Sequence, residues 1–369
     1  MEEIATRTKA GAGIRKTSSN VEYVPKNKTK IGMIGWGDYT TGLWSLTGNE
    51  NNSQHFERHL YSHNNARRDY RDFRELYGEV FEKSETYVHG DIETLLLDSD
   101  IVVVATGGPP GSINYEDFIE RGRSGDFEKE LYLKNYKSVT RVLEALREIK
   151  FEGLICMISN PEWWMDRAIK YYGIDPYKIF SVVNDGVRAA KVIGDDLREN
   201  GTYLNVANLK VRVIGPHSSD IVVWNEMTYG DIGFLDMFPQ YTDISKQKEI
   251  MTRIRRKGLE IVTASRNLNT SYIGSQIQLA NVLKAIHFKK NLEDYTLEVF
   301  VPGIETFIMW PAEFIFERDG NVSVFYDDTY HPNIPKEDQQ ILLNENKRRQ
   351  HEMSVADEIL KNCNQGEGL

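Results

Sequence analysis

The residues equipped for chemistry stand in two short segments of this chain. One is Asn184-Asp185-Gly186-Val187-Arg188 and the other is Gly215-Pro216-His217-Ser218-Ser219-Asp220. They offer a carboxylate, a guanidinium and an imidazole, downstream of a Gly35-Trp36-Gly37 turn that reads as a possible dinucleotide site. Such groups suit hydride movement to or from an oxygen-bearing carbon beside a carboxylate. The imidazole of His217 takes the hydroxyl proton, a buried Asp185 holds the ring, and Arg188 grips the carboxylate in a two-pronged pair. An imidazole suits the task because its ordinary pKa lies close to neutral, and a neighbouring carboxylate favours its charged form.

Strands and helices must bring these groups together, and the patterning supplies them. Residues 30–34 read as a strand ending in Gly35-Trp36-Gly37, with a helix opening over 40–44. The strongest buried-strand signal is Asp100-Ile101-Val102-Val103-Val104-Ala105, closed by Thr106-Gly107-Gly108-Pro109-Pro110. A long loop runs from there to about residue 126, and 128–149 show helical periodicity. Further strands are read over 56–61, 153–159 and 178–183, and a helix over 165–172. Alternation of this kind implies a right-handed, doubly wound parallel sheet. Beyond Asp185 the texture changes. Helices are read over 187–200, 249–264 and 271–288, strands of another sheet over 209–214 and 221–224, and antiparallel strands over 296–300 and 314–325. A charged helix over 335–360 follows.

Bulk properties narrow the classes. A chain of 369 residues can bury a large core and form two lobes. Its 40% hydrophobic and 27% charged residues are ordinary for a soluble globular protein. A formal net charge of −10 argues against nucleic acid or anionic membrane as partners. Cys156 and Cys363 are the only cysteines, so no disulfide framework is expected and the compartment reads as reducing and cytoplasmic. Cys156 lies in an apolar run and reads as core. Residues 1–29 are polar, lack the apolar stretch of a secretory signal, and read as a mobile arm, with an arm around a neighbouring subunit as the alternative. The histidines are scattered without metal-ligand spacing, so no metal is expected.

The order of these segments resembles the lactate/malate dehydrogenase family over residues 30–360, nearly all of the chain beyond the arm. The resemblance is carried by Lys30-Ile31-x-x-Ile34-Gly35-x-Gly37, the strand ending in Thr106-Gly107, and Ser159-Asn160-Pro161. It continues through Asp185-x-x-Arg188, Gly215-x-His217-x-x-Asp220 with Trp224 after it, and Thr270-Ser271-Tyr272. It implies an α/β fold, with an N-terminal Rossmann-type doubly wound parallel sheet followed by an α+β substrate domain with antiparallel strands. The divisions expected are the arm over 1–29, a dinucleotide-binding domain over 30–184 and a substrate/catalytic domain over 185–369. The implied roles are His217 as acid/base, Asp185 as its orienting carboxylate and Arg188 as the substrate-carboxylate ligand. Asn160 would bond near the nicotinamide and the reacting oxygen, and Thr270 would border the substrate. Gly35, Trp36, Gly37, Thr106 and Gly107 would complete the cofactor site. The partner implied is a small-molecule carboxylate, in a homo-oligomer that is a dimer or tetramer.

The chain also departs from that family. Thr40 replaces the third glycine of the phosphate-binding turn, which should loosen helix–strand packing or shift the turn. The acidic residue expected after the second strand is absent, and Ser62 with Arg67 or Arg68 suits a 2′-phosphate, so NADP is expected ahead of NAD. The loop after Thr106-Gly107 is longer than usual and no Arg aligns with the one that polarises the substrate carbonyl. Arg121, Arg123 and Lys129 are candidates, Arg123 foremost, and Glu128 lies near the expected place. The expected activity is therefore an NAD(P)-dependent oxidoreductase on a 2-hydroxy or 2-keto acid larger than lactate. The alternatives are a dehydrogenase-like nucleotide-binding protein without turnover, and an NAD-dependent glycosidase of related architecture. Trp163, Trp164 and Trp310 read as packing.

Overall fold

Apolar runs without polar alternation mark strands buried on both faces, and such strands build the central sheet. The computed structural model describes residues 27–35, 37–49, 51–62, 85–107, 125–217, 221–265, 272–291, 296–317 and 320–366. The sheet contains β1 (Thr29–Ile34), β2 (Phe56–Tyr61), β3 (Thr86–Val88), β4 (Ile101–Val104), β5 (Leu154–Met157) and β6 (Ile179–Phe180). Their order is β3-β2-β1-β4-β5-β6, with every pairing parallel. The order reverses between β1 and β4, and open α/β sheets take their ligands in the crevice at such a point.

Nine helices are assigned among the described residues: α1 (Asp38–Gly48), α2 (Ile92–Leu97), α3 (Gly125–Glu148), α4 (Trp163–Tyr172), α5 (Asp185–Glu199), α6 (Phe234–Met237), α7 (Ile244–Ser265), α8 (Tyr272–His287) and α9 (Lys336–Gly366). Successive strand residues face opposite ways. Val103 of β4 therefore joins Leu43 and Trp44 of α1 and Leu283 of α8, while Val102 and Val104 join Val139 and Leu143 of α3. Each such side chain, fully buried, stabilises the fold by about 1.5–3 kcal/mol. Trp163 and Trp164 are wholly buried on the second face, and Trp310 is buried with its Nε1 donating to Asp327 O, so all three pack as the sequence suggested. Cys156 is core as well.

The later part of the chain is antiparallel. It has β7 (Leu209–Lys210), β8 (Val213–Ile214), β9 (Ile221–Val222), β10 (Thr228–Tyr229), β11 (Ile232–Gly233), β12 (Thr296–Val301), β13 (Thr306–Phe316) and β14 (Val322–Tyr326). These form a β11-β10-β7 sheet, a β12-β13-β14 sheet and a β8–β9 pair. Two expected strands are corrected. Residues 209–214 split between two sheets, and Arg212 between the two short strands pairs with Glu226 at 3.0 Å and lies over Tyr330. The strand expected over 178–183 stays in the parallel sheet only through Ile179–Phe180. Ser181 then bonds both ways to Glu298 of β12 at 3.0 Å, which carries the chain out of the sheet just ahead of Asp185. Among the described residues no helix is long and apolar enough to cross a membrane.

Candidate active site

Asp185 is the first residue of α5 and is completely buried. A carboxylate in the first helical turn gains from the helix dipole. Arg188 lies three residues on, hence on the same helix face, and its Nη2 is 2.7 Å from Asp185 Oδ1. His217 arrives from the far side. Gly215, with φ of +90°, exchanges two backbone bonds of 2.9 Å with Met309 of β13. A Cβ there would meet Leu342 at 2.9 Å and Ile221 at 3.0 Å, so only glycine permits this approach. Two residues later, His217 Nδ1 lies 2.6 Å from Asp185 Oδ2.

Hydrogen placement follows from chemistry. An ionised carboxylate only accepts, so His217 Nδ1 carries a hydrogen and Nε2 remains for a reacting group. The His217 side chain is 14% exposed and that of Arg188 10%, so both are largely desolvated yet reachable. A buried, unpaired carboxylate would cost several kcal/mol, and here Asp185 has a partner on each oxygen. Other acids of α5 are engaged elsewhere: Asp195 with Lys191 at 2.7 Å, and Glu199 with Arg253 at 2.9 Å.

Asn160 lies beyond the end of β5. Its carbonyl accepts from Asn135 Nδ2 at 3.0 Å and Trp164 Nε1 at 3.1 Å. Ser159 Oγ donates to Thr106 O at 2.8 Å. Gly107 has φ of +106°, and a Cβ on it would meet the Asn135 side chain at 2.6 Å. The segments after β4 and β5 are thus braced together, which gathers Thr106, Gly107 and Asn160.

Gly35 and Gly37 differ in character. Gly35 has φ of +98°, and a Cβ there would meet Ala105 O at 2.5 Å. Among the described residues nothing lies within 4 Å of where a Gly37 Cβ would stand, so the backbone is approachable there. That openness fits a dinucleotide phosphate. Thr40 is accommodated rather than disruptive. It is buried, and its Oγ1 accepts from Gly37 N and donates to Gly37 O, each at 3.0 Å. The hydroxyl thereby occupies an amide that a glycine would leave open. Ser62 is half-buried just past β2.

Trp36, Arg67, Arg68, Arg121, Arg123, Asp220 and Thr270 lie outside the described residues. Glu128 and Lys129 are on α3. Glu128 is buried and its carboxylate pairs with Arg348 of α9 at 3.2 Å, so it is committed to the C-terminal helix.

Two clusters escaped the sequence reading. Arg349 of α9 is buried among Asp166, Glu298 and Glu345 at 3.2, 3.4 and 2.7 Å. Burial foremost, then the charge of Glu162, pushes the Glu298 carboxyl up. The histidines are also less scattered than their spacing suggested, since His59, His89 and Asp98 converge. Only the β2–β3 register brings them together, and β3 is three residues long.

Residues 184–306, which span the Asp185, Arg188 and His217 segments, match the family model for the lactate/malate dehydrogenase alpha/beta C-terminal domain. Over those residues the chain is similar to the lactate/malate dehydrogenase family. Among curated relatives of this family, L-lactate dehydrogenase 2 of Staphylococcus aureus is 23% identical over 199 residues. That match covers 53% of this chain and 56% of the relative, so the chain spans about half the length of the curated relatives it matches. The solved malate dehydrogenase of Cryptosporidium parvum has a TM-score of 0.68 at 17% identity, covering 90% of this chain and all (100%) of that one. A lactate dehydrogenase of Eimeria maxima, solved with NADH and oxamate, has a TM-score of 0.68 at 15% identity, covering 91% of this chain and 97% of that one. These lactate/malate dehydrogenase structures show the shared fold: a Rossmann-type parallel sheet followed by antiparallel sheets and helices.

Proposed function

We propose that the protein is an NAD(P)-dependent oxidoreductase that transfers a hydride between a nicotinamide cofactor and a 2-hydroxy/2-keto carboxylic acid. The observation that carries this reading is the buried Asp185 carboxylate holding His217 Nδ1 at 2.6 Å. Protonated His217 donates from Nε2 to the keto oxygen, and neutral His217 accepts the hydroxyl proton in reverse. Asp185 fixes the ring and stabilises the imidazolium, which is the form required to protonate a ketone. Arg188 is assigned to the substrate carboxylate, which a guanidinium can grip in a two-pronged pair. A bound nicotinamide supplies or takes the hydride. Gly35, Gly37, Thr106, Gly107 and Asn160 are the described residues we assign to holding it.

Residues 30–184 are assigned to dinucleotide binding and 185–369 to substrate and catalysis. NADP is proposed ahead of NAD, because Tyr61-Ser62 stands where a ribose-binding acid would be and Arg67 and Arg68 follow. The substrate is proposed to be larger than lactate, from the length of the loop after Gly107, with Arg123 and Thr270 beside it. A cytoplasmic homo-oligomer completes the reading.

The test is nicotinamide absorbance with a panel of 2-keto acids of increasing size. The reading expects turnover on at least one acid, with a lower KM for NADPH than for NADH. Binding of cofactor with no turnover on any acid would support a nucleotide-binding protein instead. A lower KM for NADH would overturn the NADP preference alone.

A further inference from the structure

We propose that His59, His89 and Asp98 form a site for one divalent transition-metal ion, zinc foremost, at the β3 edge of the parallel sheet. One ligand atom from each lies within 4.8 Å of the others. They come from three elements: β2, the residue just after β3, and the C-cap of α2. His89 N donates to Leu60 O at 2.9 Å, which fixes its backbone beside the strand carrying His59. The site stands apart from Asp185 and His217 and does not depend on the hydride-transfer reading.

The ring chemistry suits ligation. His59 Nε2 lies 2.8 Å from Glu57 Oε1. That carboxylate accepts, so Nε2 carries the hydrogen and Nδ1 accepts from His89 Nε2–H, 2.8 Å away; a bound ion would take the place of that hydrogen. A carboxylate behind an imidazole is the arrangement that orients metal-ligating histidines and raises their basicity. Tyr87 stacks on the His59 ring at 5.2 Å, which sets its plane.

Two imidazole nitrogens and a carboxylate oxygen match a borderline cation such as zinc, with a fourth position for water. Metal–nitrogen bonds of about 2.0–2.1 Å at a tetrahedral angle need the two nitrogens roughly 3.3 Å apart. The rings therefore open by about half an ångström, within the reach of small side-chain rotations. The ion would clip a three-residue edge strand and α2 to β2.

The full chain, stripped with a chelator, is titrated with Zn2+ alone by calorimetry, and with Co2+ for the visible absorption of a four-coordinate site. The proposal expects one equivalent bound by wild type and by His217→Asn, with affinity at least tenfold weaker in His89→Ala and in Asp98→Asn. Asp98 is partly exposed, so Asp98→Asn keeps the test alive should His89→Ala fail to fold. Absence of zinc binding, equal affinity in wild type and Asp98→Asn, or loss of binding in His217→Asn would overturn it.

Discussion

Arg188 and His217 share one carboxylate, the guanidinium at 2.7 Å from Asp185 Oδ1 and the imidazole at 2.6 Å from Oδ2. When His217 is protonated, two cations flank a single buried anion. A substrate carboxylate arriving at Arg188 would restore the balance. The guanidinium can serve both, because its planar fork carries five N–H donors.

Arg188→Lys keeps a positive charge beside Asp185 but removes the fork. Hydrogen bonds to charged groups contribute about 1.5–3 kcal/mol, so KM for the 2-keto acid should rise by roughly 10- to 150-fold. Cofactor affinity should stay unchanged. Steady-state kinetics with cofactor saturating checks this, and a substitution that altered only cofactor binding would displace Arg188 from the substrate role.

The Thr40 hydroxyl accepts from the Gly37 amide, so it would compete with a cofactor phosphate at the proposed dinucleotide site. Thr40→Val should free that amide while keeping the buried shape. Loss of the cap should cost about 1 kcal/mol of stability, and dinucleotide binding should tighten. Thermal melts and fluorescence titration of the cofactor measure the two effects separately. Weaker binding would mean that the hydroxyl supports the phosphate site.

Much of the fold was legible because its signals are local. The Ile101–Val104 run is β-branched and buried on both faces, and α3 repeats its apolar residues at helical spacing. The Asp185–Arg188 pair was legible because residues three apart share a helix face, whereas the arrival of His217 at Asp185 was not, since it depends on the Gly215–Met309 bridge. β3 and α2 were missed because three and six residues give too little period to read. The Arg349 cluster was invisible because its acids come from α4, β12 and α9 itself, far apart in the chain.

His287 of α8 packs against His55, Phe56 and Phe288, and its pKa is lowered to about 4, chiefly by burial and then by the charge of His55. Between pH 6.5 and 4 the unfolded chain binds a proton that the folded chain refuses. Stability therefore falls as pH drops through that window and is level above it. Allowing for solvent screening, the contribution is on the order of 1–2 kcal/mol. His287→Gln should flatten the pH dependence of urea unfolding over this range. His55 and His89, lowered in the same direction, would leave a residual slope.

Arg349→Met should be among the most damaging substitutions away from the active site. It removes the cation facing Asp166, Glu298 and Glu345 and leaves buried carboxylates uncompensated. Breaking a buried pair in this way costs about 3–5 kcal/mol. Part of that loss should be recovered at acid pH, where the carboxyls take up protons. Equal destabilisation at pH 5 and pH 8 would argue against the electrostatic cause.

His217, held by Asp185, is proposed to move the proton that accompanies the hydride. Its most direct test is single-turnover reduction of a 2-keto acid with cofactor prebound, comparing wild type with His217→Asn. The expected result is unchanged cofactor affinity with hydride transfer slowed by about 10²- to 10⁴-fold. Hydride transfer at the wild-type rate in His217→Asn would contradict the account.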